Sequence, residues 1–342
     1  MHATRVISRL RSWRASPAVV RRWTGAALLA NIAIVGTGGL VRLTGSGLGC
    51  PSWPDCTRSS LVPTAELSWH KYVEFGNRLF TYVVLATAVG ALLAVHRATP
   101  PRADLKAWVW GTLLGVPAQA VMGGITVLTD LNPWAVAAHF LLSMGVVAVA
   151  TVAWLRAKPD DAPPAPPLLR RAGSALLVLT FAVCAAGTTV TGAGPHAGDP
   201  RAARIPARPA SLAQLHADLA MLLVGLAVGL AVAATIIDVG RRARLATRGL
   251  VGVLGFQAVI GWAQYFLGLP VGLVEIHMLG AALLVTGATC VAVSLRSPAA
   301  DPVSRTLDTD TPPVGDESAL FPTGEDKSAE FAPARGLPVT PR

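Results

Sequence analysis

Gln119-Ala-Val-Met-Gly-Gly124 leads, twenty residues after its glutamine, to His139, and Gln257-Ala-Val-Ile-Gly-Trp262 leads at the same spacing to His277. Self-similarity at a fixed offset sets the architecture, because each copy has to be one structural unit. The offset of 138 residues carries backwards along the chain. One residue away from it, His216 falls on Asn77, and Thr191-Gly-Ala-Gly194 resembles Thr44-Gly-Ser-Gly47 just after the first helix of each half.

The 342 residues are 52% hydrophobic and 14% charged, whereas a soluble domain carries roughly a quarter charged residues. Apolar stretches able to cross about 30 Å of hydrocarbon, which takes about 20 residues each, fall near 24–42, 70–95, 107–128, 134–155, 172–192, 211–237, 249–267 and 271–295. The repeat divides them four and four. The expected fold is an all-α membrane protein whose eight transmembrane helices form two pseudo-twofold-related four-helix bundles. An even number of spans makes both halves enter from one side, so their axis runs along the membrane normal. The halves occupy 24–157 and 172–296. Around them lie a basic N-terminus (1–23), a Pro-rich linker (158–171) and an acidic tail (297–342) whose Pro, Asp, Glu and Ser content predicts disorder.

A net charge of +10 would suggest nucleic acid in a soluble chain, but residues 1–296 hold 25 Lys and Arg against 11 Asp and Glu, and the tail holds 4 against 8. Basic loops beside apolar spans are the mark of membrane orientation, so nucleic acid is set aside. Arg5, Arg9, Arg11, Arg14, Arg21 and Arg22 precede the first span. Arg97, Arg102 and Lys106 follow the second, Arg156, Lys158, Arg170 and Arg171 the fourth, and Arg241, Arg242, Arg244 and Arg248 the sixth. All these loops share one side, which places both termini in the cytoplasm of a bacterial-type plasma membrane; Arg201, Arg204 and Arg208 on the opposite side run against the trend. The first span lacks a small-residue cleavage site and reads as a retained helix.

His139, His216 and His277 each sit about 9 to 12 Å inside the outer end of a span, at 1.5 Å per residue. One intramembrane His is often an interhelical hydrogen-bond partner. Three at one depth in repeat-related places suit another use, since imidazoles on facing helices of a four-helix bundle are a natural axial pair for heme iron. Zinc has no Cys or carboxylate cluster to complete a tetrahedral site. On the second helix His70, Glu74 and Asn77 share one face with Arg78 beside them. Glu74 and Arg78 form either a structural ion pair or a cavity-facing pair in which Glu74 meets a ligand opposite His139 and Arg78 meets carboxylates. Asn77 is a poor iron ligand, which leaves His70 or no protein group as a second axial donor in that half. Cys50 and Cys56 lie in an outer loop, as a short-range disulfide or as two free thiols, while Cys184 and Cys290 read as small buried residues.

These motifs resemble the heme A synthases, the COX15-like family that oxidises heme O. The resemblance covers roughly residues 25–295 and rests on Gly38 to Cys56, on Glu74-Phe-Gly-Asn-Arg78, and on Gly123-Gly-Ile-Thr-Val-Leu-Thr129 leading to His139. Val190 to Asp199, Leu215-His216, and Gln264-Tyr-Phe-Leu-Gly-Leu-Pro270 leading to His277 complete the series. It implies oxidation of the C8 methyl of heme O to the formyl group of heme A, through an alcohol and a gem-diol that loses water. It implies heme b as cofactor between His216 and His277, substrate heme on His139 with Glu74 as the catalytic-site carboxylate, and Cys50 and Cys56 as the outer-loop disulfide. A heme O synthase and terminal oxidase assembly factors are the implied partners, with a homo-oligomer left open. Many members read Glu-x-x-His-Arg where this chain has Asn77, and His70 is the substitute ligand at hand.

Two other classes compete. A di-heme b electron carrier predicts two complete His pairs and gives the Glu74 face no use. A transporter of parallel repeats gives no reason for three His at one depth.

Overall fold

The computed structural model describes residues 13–63, 68–158 and 164–296. The acidic tail, the first twelve residues and part of the Pro-rich linker lie outside them. Eight helices follow in order: α1 Pro17–Leu43, α2 His70–His96, α3 Ala103–Leu128, α4 Pro133–Arg156, α5 Pro167–Ala193, α6 Pro209–Ile236, α7 Gly240–Phe266 and α8 Val271–Ser294. All eight are long and apolar enough to cross a membrane, and no strand occurs among the described residues. The chain is a multi-pass, all-helical membrane protein.

Helix starts are written locally. Ser16 accepts from Val19 N ahead of Pro17, and Asn132 accepts from Trp134 N ahead of Pro133. Proline at the first helical position gives up an amide that had no partner anyway. α1 and α7 begin seven and nine residues before the apolar stretches read from sequence, taking in Arg21, Arg22 and the Arg241–Arg248 run. Hydropathy marks where a helix meets hydrocarbon and misses the turns that carry it beyond. α5 likewise begins inside the linker, at Pro167.

α1 packs on α2 and α4, and α3 packs on the same two; α5 packs on α6 and α8, and α7 on the same two. Contacts between α4 and α8, α1 and α8, and α4 and α5 join the halves. The 138-residue offset reappears in backbone detail. Asp130 and Leu131 between α3 and α4 have φ of 52° and 58°; Gly268 and Leu269 between α7 and α8 have 74° and 61°. Leu131 N donates to Thr126 O at 2.8 Å, and Leu269 N to Gln264 O at 2.7 Å. A left-handed leucine is strained. Both are held by loops: Leu131 lies beneath Gly47 and Gly198, and the Leu269 carbonyl accepts from His196 Nε2 at 3.0 Å.

The helix ends at which the Arg-rich loops lie are closely packed. In the first half Val20, Ala27, Ala91, Val95, Leu105 and Ala153 close this end; in the second, Leu169, Leu176, Leu230, Leu250 and Val291 do. Leu28, Met144, Val147, Cys184 and Val285 fill the junction between halves. Lipid offers no hydrophobic drive for helices to associate, so small residues and close packing hold such a core. Its hydroxyls turn inward on their own helices: Thr151 donates to Val147 O and the offset-related Thr289 to Val285 O, both at 2.7 Å. Arg102 and Arg242, one from each half, donate to the last carbonyls of α4, those of Arg156 and Leu155. The opposite end opens into a cavity.

Candidate functional site

The cavity has a volume of about 1470 Å³ and is lined from both halves. Its walls are mostly apolar, and the polar groups that reach it include His139, His216, His277, Glu74, Asn77 and Arg78.

Each of the three histidines rests against a glycine on a neighbouring helix. A Cβ on Gly187 would stand 3.1 Å from His216 Cε1, and on Gly123 or Gly261 it would stand 3.5 Å from the ring of His139 or His277. The missing side chains let imidazoles lie where helices approach closely. The His216 and His277 rings face one another, with centroids 6.3 Å apart and planes at 78°. His216 Nδ1 lies 3.0 Å from the Val183 carbonyl, which sets Nδ1 as the donor and turns Nε2 outward as an acceptor. The glutamines that open the repeat brace the same turns from the next helix. Gln257 Nε2 donates to His277 O at 3.0 Å; Gln119 Nε2 donates to Ser143 Oγ, which donates to His139 O, each at 3.0 Å.

On α2, Glu74 is buried and both its oxygens are engaged. Oε1 takes Arg78 Nη2 at 2.5 Å, and Oε2 takes Cys50 N at 2.7 Å. Arg78 also donates to the carbonyls of Cys50, Ser52 and Asp55. The ion pair therefore forms, and it ties the loop after α1 down over the cavity. Cys50 and Cys56 in that loop are joined by a disulfide. Asn77 faces α1, its Oδ1 accepting from Thr37 Oγ1 at 2.7 Å. His70 opens α2 with its ring against Trp69 and is not among the cavity-lining residues, so the structure does not bring it to the other candidates. Among the described residues no three His, Cys, Asp or Glu side chains converge on a metal position. The cavity offers a facing imidazole pair in one half and a single imidazole in the other.

Three cavity-lining residues, Gln119, Gln257 and Arg42, escaped the sequence reading as site residues, and so did a fourth buried polar group, Glu275, which is not part of the lining. Gln119 and Gln257 were visible only as repeat markers. Arg42 belongs to a quoted motif, but its reach to the α5–α6 connection is a tertiary fact. Glu275 lies in a span, a placement that by itself signals a cost to be met. It packs against Gly36 and Gly39 of α1, and its buried Oε2 has no partner among the described residues.

A family model described as "Cytochrome oxidase assembly protein" (COX15-CtaA) matches residues 21–198, just over half of the chain. The chain is similar to the heme A synthase of Geobacillus thermodenitrificans, at 35% identity over 137 residues, 38% of this chain and 41% of that protein. The Geobacillus kaustophilus heme A synthase is 35% identical over 129 residues, 36% and 39% of the two chains. That of Methylorubrum populi is 31% identical over 149 residues, 40% and 38%. The chain thus spans about two fifths of the length of the curated relatives it matches.

Proposed function

The chain belongs to the COX15-CtaA family of cytochrome oxidase assembly proteins, and on that premise we propose that it is a heme A synthase. In this reading it oxidises the C8 methyl of heme O through an alcohol to a gem-diol, which loses water to leave the formyl group of heme A. The observation that carries the reading is the asymmetry of one cavity: a facing His pair in one half, and in the other a single His in the company of Glu74, Arg78 and Asn77.

The residues fit a heme b cofactor between His216 and His277. His216 and His277, whose ring centres stand 6.3 Å apart where both line the cavity, would hold it, the Val183 carbonyl leaving the His216 Nε2 turned outward as an acceptor. When bound, that group supplies one-electron transfer. The chain's own work is to hold it. Val183 fixes the His216 tautomer, Gln257 steadies the turn that carries His277, and Gly187 and Gly261 leave room for the rings.

Heme O is the substrate, held in the first half with His139 as its protein ligand. Asn77 stands where the repeat has His216, and a carboxamide leaves the second axial direction without an imidazole, as suits a molecule that must arrive and leave. Glu74 is the carboxylate of the reaction site, and its bonds to Arg78 and Cys50 N hold it at the cavity wall. The disulfide loop covers this side, and apolar walls keep water away from the oxidised carbon. By the Lys/Arg-rich loops, the cavity end faces outward and both termini lie in the cytoplasm. A heme O synthase as donor and terminal oxidase assembly factors as recipients complete the proposal.

The test is acid extraction and chromatography of hemes from the protein purified out of cells that also make heme O. Heme B together with heme O and heme A is the expected result. Heme B alone, at two per chain whatever the heme O supply, would replace this reading with the di-heme electron carrier.

A further inference from the structure

We infer that Arg42 is a carboxylate-binding residue of the cavity and receives a propionate of a porphyrin held there; the inference rests on the heme reading above. Arg42 stands one residue from the end of α1 and lines the cavity. Its Nε donates to His196 O at 2.7 Å and its Nη2 to Thr191 O at 3.0 Å. Both acceptors are neutral backbone carbonyls on the second half, and Nη1 has no protein partner among the described residues.

The surroundings add positive charge. Arg204 lies close enough to repel Arg42, and among the described residues its guanidinium donates to the carbonyls of Ala202 and Pro195. Two of the acidic groups nearest Arg42, Asp199 and Glu74, are taken by other partners, and no ion pair joins Arg42 to a carboxylate among the described residues. Arg201 donates to both oxygens of Asp199 and holds that carboxyl below its ordinary range. Glu74 is engaged by Arg78 and Cys50 N. A cavity-lining guanidinium with a second one near it, neither paired with a carboxylate among the described residues, forms a site for which an anion is missing. A charge kept from water is costly until it is paired. The anion must fit a cavity with apolar walls and axial imidazoles, and an iron porphyrin is a flat apolar body with two carboxylates at one edge. The planar fork of arginine matches a carboxylate better than a point charge would. Position 42 also has no arginine counterpart in the other half: the offset relating Thr44 to Thr191 puts Thr189 there. The contact thus belongs to the junction of the halves.

The test uses full-length protein from heme-starved cells, titrated in detergent with iron protoporphyrin IX or with its dimethyl ester and followed by Soret absorbance. Wild type should bind the diacid about tenfold or more tighter than the diester. Arg42→Gln should bind the two alike while keeping the same Soret position, and Arg42→Lys should keep part of the preference. Arg204→Gln should weaken diacid binding by a smaller factor. The same titration with heme O added to protein already loaded with heme B assigns the contact to the substrate or to the retained heme. A wild type with no preference, or an Arg42→Gln protein that keeps it whole, overturns the inference and leaves the heme reading standing. A Soret band that the protein does not shift from its free position, with either porphyrin, overturns both. If Arg42→Gln fails to fold, the Lys and Arg204 variants decide in the same way.

Discussion

Single side chains divide the work of the cavity. His216 and His277 face one another across the cavity, so, on the proposed heme assignment, His277→Ala should abolish the low-spin, bis-imidazole absorbance of the purified protein. Reduced-minus-oxidised spectra check this, and an unchanged spectrum would sink the cofactor assignment. Glu74 poses a different question, because its carboxylate braces the disulfide loop through Cys50 N as well as lining the cavity. Glu74→Ala should leave the low-spin signal intact and lower heme A formation by roughly 100-fold or more; full turnover would reduce Glu74 to a brace. The sequence showed that this half of the repeat lacks one histidine. It could not show that Asn77 turns to Thr37, because that partner lies 40 residues away on another helix. His70 shares a helical face with Glu74 by spacing alone, yet it opens α2 beside Trp69, since the cavity does not reach so far along that face.

At the level of helices, spans were legible because about 20 apolar residues leave little else to be. Their ends were less so: charged turns in α1 and α7 carry no hydropathy signal, and proline and Asx caps mark only some starts. Helix contacts depend on glycines whose role is spatial. A Cβ on Gly280 would collide with the Gln257 carboxamide that steadies His277, whereas one on Gly225 would meet nothing within 4 Å. Gly280→Ala should therefore cost about 1–3 kcal/mol and speed loss of heme in detergent. Gly225→Ala should leave both unchanged. Thermal unfolding followed at the Soret band separates them, and equal behaviour would refute the Gln257 brace.

For the whole molecule, the close-packed end and the open end divide the labour: one holds the halves together and the other makes room for ligands. The basic loops predict which end faces which compartment. In intact cells Ala203→Cys, between α5 and α6, should react with a membrane-impermeant thiol reagent. Thr99→Cys, between α2 and α3, should react only after permeabilisation, and the reverse pattern would invert the protein. The sequence by itself determined the eight spans, the repeat and the three histidines, because hydropathy and periodicity are local quantities that each stretch states alone. Only the tertiary structure decided which imidazoles face, that Glu74 and Arg78 pin the disulfide loop, and that Arg42 crosses to the other half. Those are relations between residues up to 154 positions apart. They depend on how helices lie against one another, and no local pattern encodes that.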